Sequence, residues 1–273
     1  MTTMQTGSTL DPLMLERVAD AVRQVAAEEI MPRFQRVRHE RKSDGSLLTE
    51  ADLVAQSALV EALRRIHDVP VMGEEMSAER QGELWIDGDA GIWCVDPIDG
   101  TSNFVNGLPY FAVSVALLRG GRSDLAVVYD PLSQEVFSAQ RGRGATMNGQ
   151  ALPLRAPAAT LRHSIAGIDF KRLAPKLACL LASQPPYSSQ RNFGAGTLDW
   201  CYAAAGRFDL YLHGGQKLWD YAAGSLIFEE AGGSVCSLTC DDFWTDDLWL
   251  RSVIAGLDPA VFVQWRDWIR AQL

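Results

Sequence analysis

Five short apolar runs follow one another between residues 69 and 139, and they constrain the fold of this chain more than any other feature. The runs read VPVM, GIWCV, YFAVSVALL, LAVVY and EVFSA. Turn-prone segments, RGGR at 119–122 and DPLS at 130–133, separate the later runs. Apolar runs of this length that tight turns connect are typical of adjacent antiparallel strands. We therefore predict a largely antiparallel sheet for this part of the chain.

Helical patterns precede these strands. Apolar residues between 15 and 31 recur at the spacing of one helix face, after an Asp-Pro pair at 11–12 that can cap and open a helix. Thr49, with Asp52 three residues later, resembles a capping box, in which each side chain bonds the backbone of the other residue. We predict a long first helix and a second helix that ends near Ile66.

The pattern changes again after about residue 154, where strand-like and helix-like segments alternate. In order they read SIAGIDF, RLAPKLACLLA, TLDWCYAAAG, DLYL, WDYAAGSLIFEEAGG, SVCSL and RSVIAG. Such alternation indicates an α/β unit. We predict an N-terminal α+β part over residues 1–152 and a C-terminal α/β part over residues 153–273, packed together around a shared cleft.

Composition excludes several classes of function. Acidic residues outnumber basic ones by 34 to 25 in a chain of 273 residues, and no dense Lys/Arg block could follow a phosphate backbone, so nucleic-acid binding is disfavoured. The first residues lack the pattern of a secretory signal, and no apolar run is long enough for a membrane span. Five scattered cysteines indicate reduced thiols. We expect a cytoplasmic enzyme without a membrane partner.

The segment WCVDPIDGTSNF at 93–104 places two carboxylates beside a sharp turn. Asp96 and Asp99 offer hard oxygen ligands suited to Mg²⁺, and the Ile98 carbonyl lies between them. Gly100 permits close backbone approach, and a helix that begins there would turn free N–H groups toward a phosphate. An ordinary Asx-capped turn is the alternative interpretation, because DP and DG dipeptides are common in turns.

Two further acidic segments strengthen the interpretation as a metal site. Glu74 follows the apolar run PVM, and Asp220 opens an apparent helix; alone, each is also explained as a surface acid or a helix cap. Four carboxylates in one cleft would repel one another unless divalent cations lay between them. The four histidines include no HExxH pair, so a zinc hydrolase fits poorly.

Four segments occur together in one order: TEAD at 49–52, GEE at 73–75, WCVDPIDGTSNF at 93–104 and WDYAAGSLIFEEAGG at 219–233. In this combination the chain resembles the inositol monophosphatase family, the lithium-sensitive, magnesium-dependent phosphatases. The resemblance implies a layered α-β-α-β-α sandwich, a homodimer, and inhibition by Li⁺.

The resemblance also implies a ligand set for two or three Mg²⁺ ions. Glu74, Asp96 and the Ile98 carbonyl would bind one ion. Asp96, Asp99 and Asp220 would bind a second, and a third, weaker ion would depend on Glu74 through water.

Catalytic roles follow from the same resemblance. A metal-activated water would attack phosphorus directly, without a covalent phosphoenzyme. Glu74 and Thr101, with Thr101 hydrogen-bonded toward Asp52, would orient and deprotonate that water. The N–H groups of Gly100 and Thr101 would hold phosphate oxygens.

The chain departs from the inositol-specific pattern where the alcohol part of the substrate would bind. His213 stands where inositol-specific members carry a glutamate, and Lys217 lies nearby, so inositol specificity is in question. The alternative to a substrate contact, which we weigh equally, is that His213 only caps the end of a strand. Other predicted contacts to the leaving group are Asp169, Lys171, Gly194, Ala195, Gly196 and Thr197.

The leading hypothesis is therefore Mg²⁺-dependent hydrolysis of a small phosphate monoester, myo-inositol monophosphate or a similar polyol phosphate. Alternatives in the same fold are a 3'(2'),5'-bisphosphate nucleotidase, a fructose-1,6-bisphosphatase and a histidinol-phosphatase. A hypothesis from another class is a non-catalytic regulatory protein that binds partners through the surface near Trp244 and Trp249.

Overall fold

The outermost layer of the fold consists of two helices. The structure, a computed structural model, describes residues 11, 13–36, 39–41, 47–87 and 90–273, so Pro12 of the predicted helix start lies outside it. Helix α1 (Met14–Val25) continues through a π-helical turn (Ala26–Ile30) and a 3₁₀ turn (Met31–Arg33). A short antiparallel pair, β1 (His39–Arg41) and β2 (Leu47–Thr49), leads into α2 (Glu50–Ile66).

Helix α2 begins with the predicted capping box and ends at the predicted residue. The Thr49 hydroxyl accepts the Asp52 N–H at 3.4 Å, and Asp52 Oδ2 accepts the Thr49 N–H at 2.7 Å. Each bond satisfies a backbone donor that would otherwise lack a partner at the helix start. The helix ends at Ile66, as predicted.

The five apolar runs form part of a seven-stranded sheet in the order β3-β4-β5-β6-β7-β8-β9. Its strands are β3 (Val71–Gly73), β4 (Ile92–Asp99), β5 (Ala112–Arg119), β6 (Arg122–Asp130), β7 (Glu135–Gln140), β8 (Ala145–Met147) and β9 (Gln150–Ala151). Neighbours pair antiparallel except for β3 and β4, which are parallel. Helix α3 (Ala78–Asp87) and the short α4 (Thr101–Asn106) flank β4 in sequence. The predicted antiparallel sheet is confirmed.

The second half of the chain builds a five-stranded mixed sheet in the order β11-β10-β12-β14-β13. Its strands are β10 (Ile165–Asp169), β11 (Ser189–Arg191), β12 (Leu210–Gln216), β13 (Ser234–Cys236) and β14 (Arg251–Gly256). Helices α5 (Pro175–Ser183) and α8 (Pro259–Arg270) cover one face of this sheet, while α6 (Gly196–Ala204) and α7 (Leu218–Glu230) lie between the two sheets. The predicted α-β-α-β-α sandwich is confirmed.

The central helices α6 and α7 pack unusually closely. A Cβ atom on Gly224 of α7 would lie 2.5 Å from the Trp200 Cβ of α6, so only glycine permits this approach. Most of α7 is buried on all sides, as expected of a helix that two sheets enclose. One apolar core therefore joins residues from both halves of the chain.

The larger sheet ends at Ala151 and the smaller sheet begins at Ile165, on either side of the predicted boundary between the two parts. Because a single core crosses between them, the division at residues 152 and 153 into two units stays a prediction. None of the described helices combines the length and the apolar character that crossing a bilayer requires.

Candidate metal and phosphate site

A β-bulge at the end of β4 brings Asp96 and Asp99 to the same place. Asp96 pairs with Ser114 and Asp99 with Ala112, so β4 has one residue more than β5 between these pairs. In a regular strand, residues three apart would face opposite sides of the sheet, and the extra residue removes this alternation. Asp96 Oδ1 accepts the N–H of Ile98 at 3.0 Å, which holds the bulge in shape.

Asp220 approaches from the other side of the cleft, in the first turn of α7. Its Oδ2 accepts the N–H of Lys217 at 2.9 Å, so the carboxylate is fixed by capping its own helix. One oxygen atom from each of Asp96, Asp99 and Asp220 lies within 4.8 Å of the other two. Carboxylates brought this close from two elements form a plausible binding site for a hard divalent cation.

Burial, and further the negative charges of their neighbours, raise the pKa values of these three carboxylates. Burial and then the charges of Glu74 and its other neighbours raise the pKa of Asp96. Burial, together with the charges of Asp99 and Glu74, likewise raises the pKa of Asp220. Burial raises the pKa of Asp99 to about 6, although hydrogen bonds from Thr197 act in the opposite direction. A divalent cation would relieve this repulsion, so the donor set fits Mg²⁺.

Thr197 supports Asp99 through two hydrogen bonds. Its backbone N–H and its hydroxyl both donate to Asp99 Oδ2 at 2.6 Å, and its side chain is fully buried. Thr197 lies in the first turn of the buried helix α6, where it is directed toward this carboxylate. A contact of Thr197 with the substrate stays a prediction.

Glu74 lies beside the cluster because β3 and β4 are parallel. Gly73 of β3 pairs with Val95 of β4, and the N–H of Glu74 donates to the Val95 carbonyl at 3.2 Å. Glu74 and Asp96, each one residue beyond this pair, therefore lie side by side. Glu74, Asp96 and the Ile98 region line the same cleft. The structure thus brings together all five predicted metal ligands, while their binding of metal stays a prediction.

Gly100 and Thr101 line the cleft next to the carboxylates. Gly100 has φ +89°, and a Cβ there would lie 3.0 Å from the Ala195 Cβ, so the turn requires glycine. The Thr101 hydroxyl donates to the Ile98 carbonyl at 3.0 Å rather than toward Asp52 as predicted. The Ile98 carbonyl is the nearer acceptor because Thr101 begins the helix three residues after it.

Asp52, predicted to assist Thr101, is only 1% exposed. Its Oδ2 accepts both the backbone N–H of Thr49, at 2.7 Å, and the Thr49 hydroxyl, at 2.6 Å. The capping role of Asp52 is thus visible in the structure, and its catalytic role stays a prediction.

Most of the other predicted substrate contacts also line this cleft. The cleft has a volume of about 560 Å³, and its walls include Gly194, Ala195, Gly196 and His213. Sequence reasoning missed further lining residues, which are Arg172, Asn192, Asp199, Gln216 and Trp219. A signal for Asp199 was present, because an acidic residue within the apolar run TLDWCYAAA is unusual for a buried helix.

Asp199 is a buried carboxyl group whose partner is Tyr110. The Tyr110 hydroxyl donates to Asp199 Oδ1 at 2.9 Å. Burial raises the pKa of Asp199, and the charges of Asp99 and Asp169 raise it further. The Asp199 carboxyl therefore holds its proton more firmly than an exposed aspartate does, although the hydrogen bond from Tyr110 acts in the opposite direction.

His213 has both of its ring nitrogens engaged. Nδ1 accepts the N–H of Gly215 at 3.1 Å, and Nε2 lies 3.5 Å from Asp169 Oδ2. An accepting Nδ1 places the proton of a neutral ring on Nε2, where it points toward Asp169. Burial lowers the pKa of His213. Burial acts to raise the pKa of Asp169, but His213 and Lys171 together outweigh it, so the pKa of Asp169 is lowered.

Known proteins resemble this chain in sequence and in fold. The Nus factor SuhB of Pasteurella multocida is 40% identical over 202 residues, which are 71% of this chain and 73% of the relative. An IMPase of Thermotoga maritima superposes with a TM-score of 0.79 at 29% identity, covering 93% of this chain and 97% of that one. The extragenic suppressor protein SuhB of Bartonella henselae gives a TM-score of 0.79 at 25% identity, covering 95% and 99%.

The chain thus has the fold of the IMPase and SuhB structures, with three carboxylates grouped in its cleft. The sequence profile of the inositol monophosphatase family matches residues 13–264. The chain belongs to the inositol monophosphatase family, which confirms the resemblance seen in its motifs.

Proposed function

We propose that this protein is a Mg²⁺-dependent phosphatase that hydrolyses a small phosphate monoester, with myo-inositol monophosphate or a similar polyol phosphate as the first substrate to test. The observation that carries the proposal is the group of three carboxylates from β4 and α7, whose oxygens lie within 4.8 Å of one another. Such a group at the bottom of a cleft is poorly suited to anything except cations. Membership of the family supports the same reaction.

In the proposed reaction, a water oxygen forms a bond to phosphorus as the ester P–O bond breaks, and the leaving alcohol takes up a proton. Glu74 and the Asp96, Ile98, Asp99 and Asp220 oxygens would hold two or three Mg²⁺ ions. When bound, Mg²⁺ would offset the charges of the phosphate and the carboxylates and make water more acidic.

The protein's own groups have separate tasks in this scheme. Glu74, at the wall of the cleft, accepts a proton from the attacking water, and the Thr101 hydroxyl orients that water once it turns from the Ile98 carbonyl. The backbone N–H groups of Gly100 and Thr101 donate to phosphate oxygens. Asp52 would accept a hydrogen bond from the Thr101 hydroxyl in that orientation, as the family resemblance implies.

A phosphate-release assay with Mg²⁺ tests the proposal. The panel contains inositol 1-phosphate and the substrates of the related activities, namely an adenosine 3',5'-bisphosphate, fructose 1,6-bisphosphate and histidinol phosphate. We expect release from at least one of them, lost on chelation and reduced by Li⁺ in the millimolar range. If no member releases phosphate, the proposed activity is wrong; the ratios of kcat/KM identify the substrate class.

A second candidate function rests on the names of the relatives. Several relatives, including those of Pasteurella multocida and Escherichia coli at 36–40% identity, are called Nus factor SuhB, which is not the name of an enzyme. A non-catalytic role in binding partners is therefore a candidate for this chain too. A strain that carries the Asp96→Asn protein separates the two: a phenotype that survives this change supports binding, and one that is lost supports catalysis.

We also propose a homodimer in the cytoplasm, as the family resemblance implies. Light scattering of the purified protein, which should give twice the mass of 30.0 kDa, tests the dimer.

A further inference from the structure

Three basic side chains line the end of the cleft that the leaving alcohol would occupy. Lys171 and Arg172 follow β10, and Lys217 precedes α7; all three line the cleft and are exposed. Among the residues that the structure describes, no carboxylate forms an ion pair with any of the three. The proposed reaction gives none of these cations a task.

The turn that carries Lys171 and Arg172 is held firmly in place. Asp169 Oδ1 accepts the N–H of Lys171 at 3.1 Å, which caps the 3₁₀ turn Phe170–Arg172. On the other side, a Cβ on Gly214 would lie 1.8 Å from the Arg172 carbonyl oxygen, so the turn rests directly on the bulge in β12. The two cations therefore project from a fixed backbone and not from a long loop.

The acidic groups at this end of the cleft do not cancel the positive charge. Asp169 is paired with His213, and Asp199 accepts the Tyr110 hydroxyl, so these two groups contribute at most two negative charges. Three cations against two carboxylates leave the leaving-group end with an excess of positive charge. The other end, with its carboxylates, would be occupied by Mg²⁺ and the phosphate that is cleaved.

We propose that Lys171, Arg172 and Lys217 form a second anion subsite, and that the alcohol part of the natural substrate carries a second anionic group, a phosphate or a carboxylate. This inference rests on the proposed phosphatase function and narrows its substrate class. A guanidinium flanked by ammonium groups suits either anion, because Arg offers a bidentate pair of donors and Lys adds charge. A neutral polyol such as inositol would leave all three cations without a partner.

Matched substrates test the subsite directly. Glycerol 2-phosphate and 2-phosphoglycerate differ only in that one CH₂OH group is replaced by a carboxylate. Fructose 1-phosphate and fructose 1,6-bisphosphate form a second pair, which differs by a phosphate. We expect kcat/KM to be about 10-fold higher for the doubly anionic member of at least one pair, and the pair that responds identifies the anion.

A double variant shows whether these cations cause the preference. Lys171→Gln with Arg172→Gln should lower the ratio of kcat/KM for the doubly anionic substrate to kcat/KM for its singly anionic partner from about 10 to about 1, through KM. The control, Lys176→Gln with Arg143→Gln, removes the same charge from exposed positions that do not line the cleft, and should change neither value.

The outcomes separate the two proposals. If no phosphate monoester is hydrolysed with Mg²⁺, the phosphatase function itself is wrong. If glycerol 2-phosphate or fructose 1-phosphate is hydrolysed but neither second anion increases kcat/KM, the phosphatase function stands and the anion subsite is overturned. A preference for the doubly anionic substrate that persists in the Lys171→Gln/Arg172→Gln variant would also overturn the assignment to these two residues.

Discussion

At the scale of single residues, Asp96 is the carboxylate on which the candidate site depends most. It is 1% exposed, and burial and then the charges of Glu74, Asp99 and Asp220 raise its pKa. We predict that Asp96→Asn lowers kcat/KM for any monoester substrate by at least about 100-fold, or ~2.7 kcal/mol of transition-state stabilisation. The substitution should not lower the melting temperature of the metal-free protein, because it removes a repelling charge.

The matched control for this prediction is Asp20→Asn, an exposed position on α1 that should leave the activity unchanged. Steady-state kinetics and thermal melts without Mg²⁺ measure the two effects. A loss of activity that accompanies unfolding would instead assign Asp96 a structural role.

His213 provides a second test at the residue scale. Because Gly215 donates to Nδ1, the neutral ring should carry its proton on Nε2, and burial should keep the pKa below the ordinary value of about 6.5. An NMR titration of the His213 ring, assigned through a His213→Gln variant, measures both properties. A His213 pKa above about 6.5 would contradict a neutral ring beside Asp169.

At the scale of elements, close contacts between turns and strands position the cleft. The bulge of β12 at Gly214 supports the turn Phe170–Arg172, where a Cβ would meet the Arg172 carbonyl oxygen at 1.8 Å. We predict that Gly214→Ala lowers the free energy of unfolding by about 2 kcal/mol, because the backbone of the turn must move.

Chemical denaturation measures this loss. Gly82→Ala is a suitable control, since a Cβ at this position of α3 meets no atom within 4 Å and alanine favours helix. If Gly214→Ala and Gly82→Ala changed the free energy of unfolding equally, the backbone at the β12 bulge would be able to move at little energetic cost.

The elements also show what local patterns can predict. The capping box of α2 and the strands β4 to β7 follow from short-range signals, and the structure confirms them. Helix α8 was not predicted, although Asp258 followed by Pro259 is a helix start that its side chain indeed caps. The parallel pairing of β3 with β4 could not be predicted, because it joins strands separated by a whole helix.

At the scale of the whole molecule, the cluster links metal binding to stability. In the metal-free protein the pKa values of Asp96, Asp99 and Asp220 lie above the unfolded value of about 3.9, so the folded state binds more protons. Stability from these groups is therefore greatest at low pH and is lost as the pH rises through about 6 and above.

Mg²⁺ should reverse this loss. We predict that a saturating concentration raises the melting temperature more at about pH 7.5 than at about pH 5, because protons compete with the ion at the lower pH. Differential scanning fluorimetry measures the shift, with Asp96→Asn as the variant in which it should shrink. Equal shifts at the two pH values would argue against binding by these carboxylates.

The sequence by itself determined the order of the elements and the acidic segments, because hydrophobic periodicity, capping and turns act over a few residues. It also indicated the family, through motifs that each lie within one stretch of chain. The predicted metal ligands Glu74, Asp96, Asp99 and Asp220 were therefore identified before their arrangement was known.

Only the tertiary structure decided which partner each side chain meets. Thr197 supports Asp99 across 98 positions of sequence, Tyr110 reaches Asp199, and Arg172 joins Lys217 at one cleft. Such contacts depend on how α6 and α7 pack between the two sheets and where β10 ends, and no local pattern records that packing. Short motifs thus encode the carboxylates of the candidate site, whereas the basic residues of the cleft come together only when the chain folds.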